Sequence, residues 1–159
     1  MTAAATLAIE LPNEAATCAL AAAVADKARR GDVIGLSGPL GSGKTTFARA
    51  FIRARCGAGD DVPSPTFTLV EIYEPSDGPP VWHFDLYRLE KAEDAYELGL
   101  EEALAEGISL IEWPERLGAL LPRDRLGIEL TAGVRETARR ARLDISPSWA
   151  SRLAGLPRG

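Results

Sequence analysis

Histidine occurs once in this chain and cysteine twice. A metal centre of imidazole and thiolate ligands needs more of both, at short fixed spacings. Cys18 and Cys56 form no motif. They fall in helix-like segments and read as the reduced, buried thiols of a cytosolic protein. His83 alone makes no metal site and reads as a packed or supporting residue. Long apolar runs are missing too. The longest helical one, Cys18 to Ala25, stops at Asp26, far short of the roughly 20 residues of a membrane span. The N-terminus has no basic start, and Glu10 breaks its apolar stretch, so no export signal is read there. The expectation is a cytoplasmic protein with no membrane partner. Positive charge is scarce: 18 Lys and Arg against 23 Asp and Glu leave a net charge of −5. This argues against unaided nonspecific binding to nucleic acid, which requires neutralised phosphates. Repeats, low-complexity tracts and linkers are absent, and the length suits one domain over residues 1–159.

What is present is a phosphate-binding pattern. Gly38-Pro-Leu-Gly-Ser-Gly-Lys-Thr45 matches G-x-x-x-x-G-K-[ST] and follows the apolar run Val33 to Leu36. Such a loop turns backbone N–H groups inward around phosphate oxygens. The candidate nucleotide-binding residues are Gly38, Gly41, Ser42, Gly43, Lys44, Thr45 and Thr46. Lys44 reaches the outer phosphates as a point charge, and the Thr45 hydroxyl can ligate Mg²⁺. The helix that follows offers its positive end to the same anion. A glycine-rich turn without function would leave Lys44 unexplained.

The remaining pattern alternates strands and helices. Ala5 to Leu11 reads as a strand, and Asn13 as the N-cap of an alanine-rich helix running to about Arg30. The helix after the loop runs to about Cys56 and stops at Gly57. Residues 60–65 are loop, because Pro63 and Pro65 break regular structure. Residues 66–73 and 81–87 read as two strands joined by a proline-rich hairpin turn. Residues 92–105 read as helix with a break near Gly99. Ile108 to Glu112 is a short apolar strand of the type buried on both faces. Two late strands follow, at 126–130 and 139–145, then a helical turn at 149–153. Together these predict a three-layer α/β/α P-loop NTPase-like domain on a mixed, mainly parallel sheet. The nucleotide is expected at the carboxyl ends of the central strands.

A phosphate loop needs an acid near Mg²⁺, at the end of a neighbouring buried strand. Glu112 ends the more apolar strand; it reads as a metal or metal-water ligand, with a structural carboxylate as the alternative. Asp85 also ends a strand. It orients the attacking water or a metal-bound water, or it caps the strand. Thr66, in the proline-flanked Ser64-Pro-Thr66, lies where switch loops contact the γ-phosphate or metal; a plain entry turn explains it as well. Arg88, three positions after Asp85, is expected to face the opposite side, and Arg49 to point outward or along the sheet. Arg135, Arg139, Arg140 and Arg142 read chiefly as solvated strand positions. No N-K-x-D guanine-reading segment occurs, which favours ATP over GTP.

The segments Gly38 to Phe47, Ser64 to Glu71, His83-Phe-Asp-Leu-Tyr-Arg-Leu89, Glu97-Leu-Gly99 and Leu110-Ile-Glu-Trp-Pro-Glu115 form a series. In order and spacing it resembles the bacterial TsaE family, from about residue 9 to 145. The resemblance implies a Mg²⁺-dependent ATPase binding ATP and ADP. It would support the threonylcarbamoyl-transferase subunits that modify the adenosine beside the anticodon, touching tRNA only through that complex. It further implies that Lys44 holds phosphates, that Thr45 and Glu112 bind Mg²⁺, and that Asp85 is a catalytic or metal-site acid. Trp113 would be a functional aromatic beside the metal. Glu14 and Arg135 lie in segments that approach the nucleotide in that family. Pro39 stands where the family usually has an acid, which removes any polar role for that side chain but not the backbone cradle. The alternatives are a small phosphotransferase acting on a metabolite, and a nucleotide-gated binding module.

Overall fold

Alternation explains the outer strands of this protein, and unbroken apolarity the inner ones. The computed structural model describes residues 5–57, 62, 68–154 and 156. β1 (Ala5–Leu11) buries Ile9 and Leu11 and exposes the residues between. β2 (Val33–Ser37), β4 (Val81–Asp85) and β5 (Ile108–Glu112) are buried almost throughout, as strands covered on both faces must be. β3 (Val70–Tyr73), β6 (Leu126–Ala132) and β7 (Arg139–Ile145) complete one sheet in the order β1-β7-β6-β2-β5-β4-β3. Parallel pairing joins β6, β2, β5 and β4, and antiparallel pairing adds the rest. β1, β2, β4, β5 and β6 therefore run one way, against β3 and β7.

Helices cover both faces, which makes the predicted three layers. On one face α1 (Glu14–Lys27) and α2 (Lys44–Cys56) bring Leu20, Val24, Phe47 and Phe51 onto Ile34, Leu36, Leu110 and Ile128. Each fully buried Phe of this kind contributes about 1.5–3 kcal/mol. On the other face, a 3-10 stretch at Ala92–Leu98, α3 (Leu100–Glu106) and a second 3-10 stretch at Pro114–Leu120 pack on Val33, Trp82, Phe84 and Ile111. Gly99 turns the chain between the first two with φ of 93°, and a Cβ there would lie 2.7 Å from the Trp82 ring. A short α4 (Pro147–Ala150) follows β7. Among the described residues no helix is long and apolar enough to cross a membrane.

Several boundaries differ from expectation for local reasons. α1 ends at Lys27 rather than near Arg30, because the Arg29 amide bonds the Asp32 carboxylate and the Gly31 amide bonds Gly107. Of the strand expected over 66–73, residues 66 and 67 lie outside the described residues and β3 runs over Val70–Tyr73; Leu69, with φ of 66°, is outside strand geometry. β4 stops at Asp85, not 87. The segment before Gly99 is 3-10, not α. Asn13 caps α1 as predicted, accepting the Ala16 amide at 2.9 Å. Cys18 and Cys56 are half-buried rather than fully buried.

Candidate functional site

The loop of residues 38–45 joins β2 to α2, and its glycines are demanded by its shape. Gly38 has φ of 133°, and a Cβ on it would sit 2.2 Å from the Leu130 carbonyl oxygen. No other residue fits so close to backbone. Gly43, with φ of 103°, starts α2 without a side-chain cap. The amides of Lys44, Thr45 and Thr46 consequently have no carbonyl a turn earlier to bond. They form the positive end of α2, whose first turn carries no acid but does carry Lys44. A cation there is unfavourable until an anion joins it. Lys44 is only 5% exposed. Its ammonium donates to the Gly38 and Pro39 carbonyls at 2.6 and 2.9 Å and lies 4.4 Å from the centre of the Trp113 ring. Burial pulls its pKa below the ordinary value, against the opposing pull of Glu112, Glu115 and Asp85.

The two strand-end acids meet this loop. Parallel register makes Leu36 and Asp85 the two flanking partners of Glu112. The Thr45 hydroxyl donates to Glu112 Oε1 at 3.2 Å. Glu112 Oε2 lies 2.7 Å from His83 Nε2, and both residues are buried. Asp85 accepts the Tyr87 amide at 3.2 Å. Trp113 follows Glu112 with a left-handed φ of 60°, which turns its ring over Lys44 and against Tyr87, 4.9 Å between centroids. A cavity of about 450 Å³ is lined by Gly41, Gly43, Lys44, Thr45 and Thr46 together with Asp85, Glu112 and Trp113. One hydroxyl and one carboxylate are hard oxygen donors, and Mg²⁺ takes few such protein ligands beside water and phosphate. The donor set therefore fits that ion. A second cavity, about 440 Å³, lies over Gly35 and Gly127. It is edged by Arg142, which pairs with Glu129 and Asp144 at 3.8 and 3.7 Å; it contains no comparable constellation.

Two arginines lie elsewhere than sequence periodicity predicts. Arg139, expected in solvent, is half-buried and donates from Nε to the Ser42 carbonyl at 2.9 Å and from Nη2 to that of Gly41 at 3.2 Å. Nη1 holds the Glu136 and Ala138 carbonyls at 2.8 and 2.7 Å. It clamps the loop and lines the cavity. Arg88 lines the same cavity as Asp85 instead of facing away, because the chain has already left the strand. Arg135 is exposed and contributes its carbonyl to the Ala138 amide. Arg49 turns to the Val62 carbonyl at 2.9 Å. Glu14, at the start of α1, lines a small adjoining cavity with Gly43, Thr46 and Arg139. Ser42 is buried within the loop. Thr66 and its Ser64-Pro65 neighbours lie outside the described residues.

The family model described as threonylcarbamoyl adenosine biosynthesis protein TsaE matches residues 11–141. The chain belongs to the TsaE family. Its curated relatives are described as tRNA threonylcarbamoyladenosine biosynthesis protein TsaE. The one from Rickettsia felis is 42% identical over 120 residues, 76% of this chain and 70% of the relative. The one from Bacillus subtilis is 41% identical over 118 residues, 73% and 72% of the two chains. The crystal structure of Bacillus subtilis YdiB aligns with a TM-score of 0.76 at 28% identity, covering 96% of this chain and 94% of that one. The TsaE match spans Glu14, the loop, both acids and Arg139, so the whole candidate site lies within the family region.

Proposed function

We propose that this TsaE-family chain binds ATP with Mg²⁺ and hydrolyses it, supporting the proteins that place threonylcarbamoyl on the adenosine beside the tRNA anticodon. Hydrolysis would reset or activate that complex in the cytoplasm; the transfer itself would belong to the partner subunits. The observation that carries the reading is the meeting of Lys44, the Thr45–Glu112 pair and Asp85 in one cavity at the strand ends. The TsaE family supplies the tRNA context.

Lys44 is poised to exchange two backbone carbonyls for anionic oxygens, a charge-assisted bond of greater strength. The loop amides and the α2 terminus supply fixed dipoles in a partly dry site, where they act most strongly. Thr45 Oγ1 and Glu112 Oε1 would hold Mg²⁺. When bound, that ion neutralises charge on the phosphate oxygens. Asp85, held by the Tyr87 amide, is placed to orient a water molecule. Trp113 and Tyr87 wall the site and limit solvent. Arg139 is committed to the loop, and Arg88 lines the cavity beside Asp85; a partner would add the last increment of charge stabilisation, for which finger-type cations are worth about 10³-fold or more.

Steady-state phosphate release tests the reading. The expected rates are slow for the chain alone and faster with the threonylcarbamoyl-transferase subunits, with no small-molecule acceptor required. Rapid release unchanged by any partner would remove the accessory role. Phosphate appearing only on a metabolite would replace it with a phosphotransferase.

A further inference from the structure

His83 has no part in the chemistry above, yet it is the single histidine of the chain and is fully buried in β4. Register aligns His83 with Leu110 and Asp85 with Glu112. His83 and Glu112 are therefore diagonal neighbours on one face of a parallel pair. The two Glu112 oxygens are divided: Oε1 accepts from Thr45 at 3.2 Å, while Oε2 lies 2.7 Å from His83 Nε2. At 2.7 Å a proton must lie between the two atoms. An ionised carboxylate can only accept, so the imidazole must donate.

His83 Nδ1 is buried without a hydrogen-bond partner among the described residues, so the contact that engages the ring is the one from Nε2 to Glu112.

We infer that His83 is a positioning residue that fixes the Glu112 carboxylate through Oε2, so that Oε1 faces Thr45 in the orientation that takes Mg²⁺. The inference rests on the nucleotide–metal reading above and adds a residue to it. Groups that orient ligating carboxylates in this way are typically worth about 10–100-fold in metal affinity. A merely packed histidine would leave metal binding unchanged when replaced by an apolar residue of similar size.

Two measurements on the full, untagged chain test this. With ¹⁵N-histidine labelling the single ring gives one pair of nitrogen resonances, so no assignment is needed. Nε2 is expected to be protonated, and to shift when Mg²⁺ is added to the ADP-loaded protein. A bare Nε2 overturns the inference, and this reading needs no variant to fold. In calorimetric titrations, H83L is expected to weaken Mg²⁺ binding to the ADP-loaded chain by about tenfold or more. ADP binding without Mg²⁺ should be unchanged. H83Q, which keeps a donor near the Nε2 position, should restore most of the loss. A folded H83L that titrates like the parent overturns the role of His83 and leaves the nucleotide–metal reading standing. A parent whose ADP binding ignores Mg²⁺ overturns both.

Discussion

Lys44 sits where a helix alone would not place a cation: in the first turn, buried, among amide dipoles of its own sign. Its depressed pKa states the same conflict. The native chain holds this proton less tightly than the unfolded chain, so the charged side chain costs stability at neutral pH. That cost is relieved as pH rises from the lowered native pKa toward the ordinary 10.5. Lys44→Met should therefore raise the Tm of the nucleotide-free protein at neutral pH. The gain should shrink as pH approaches 10. The same variant should lose ATP hydrolysis, because Lys44 is the cation held within the loop itself, where charge on the outer phosphates would be stabilised. A Tm at or below the parental value at pH 7 would contradict the electrostatic account. Lys44, Thr45, Asp85 and Glu112 were legible in the sequence because motif spacing and the ends of apolar strands mark them. Arg139 was not. Alternation along a strand predicts a solvated arginine, and only the neighbour order β7-β6-β2 brings the first residue of β7 to the phosphate loop. Arg88 was misplaced by the same period-two rule, applied past the end of β4.

Elements whose partners are distant in sequence were read least well. β2, β5 and the hairpin pairing of β3 with β4 announced themselves, because burial on both faces and a proline-rich turn leave local signatures. The 3-10 stretches did not, since their geometry follows from packing under Trp82 and Ile111 rather than from periodicity. Two elements carry tests of their own. The start of β7 acts as a strap, and Arg139→Ala should weaken ADP binding by about tenfold, as expected for lost charge-assisted bonds that shape the loop. Its thermal transition should stay cooperative; an unchanged dissociation constant would show that the strap is decorative. Beside α4, hydrogen bonds from Ser148 and Ser146 hold the Asp124 carboxyl below its ordinary 3.8. Such a group contributes stability above its unfolded pKa and loses it as pH falls through the lower native one. Asp124→Asn should thus be less stable than the parent at pH 7, with the two curves converging below about pH 4. Curves that stay parallel into acid would assign the loss to something other than this carboxylate.

At the scale of the whole molecule, the site draws on residues from position 38 to position 139 across one sheet. Nucleotide binding should then stabilise the fold globally rather than quiet a loop. At 100 times its dissociation constant a ligand adds about 2.7 kcal/mol. Mg·ADP should accordingly move a single calorimetric transition upward by about 5–10 °C. A split transition, with one part unmoved, would show the loop to be energetically separate.

The strap also has a consequence in time. β1 pairs along its full length with β7, and Arg139 at the head of β7 grips carbonyls set down nearly a hundred residues earlier. A chain emerging from the ribosome completes its phosphate-loop segment early but cannot lock it until the last strand of the sheet is made. On the proposed reading, capture of nucleotide would be deferred until β7 has been made. A half-made copy would carry the signature of an ATP-binding protein without the grip of one.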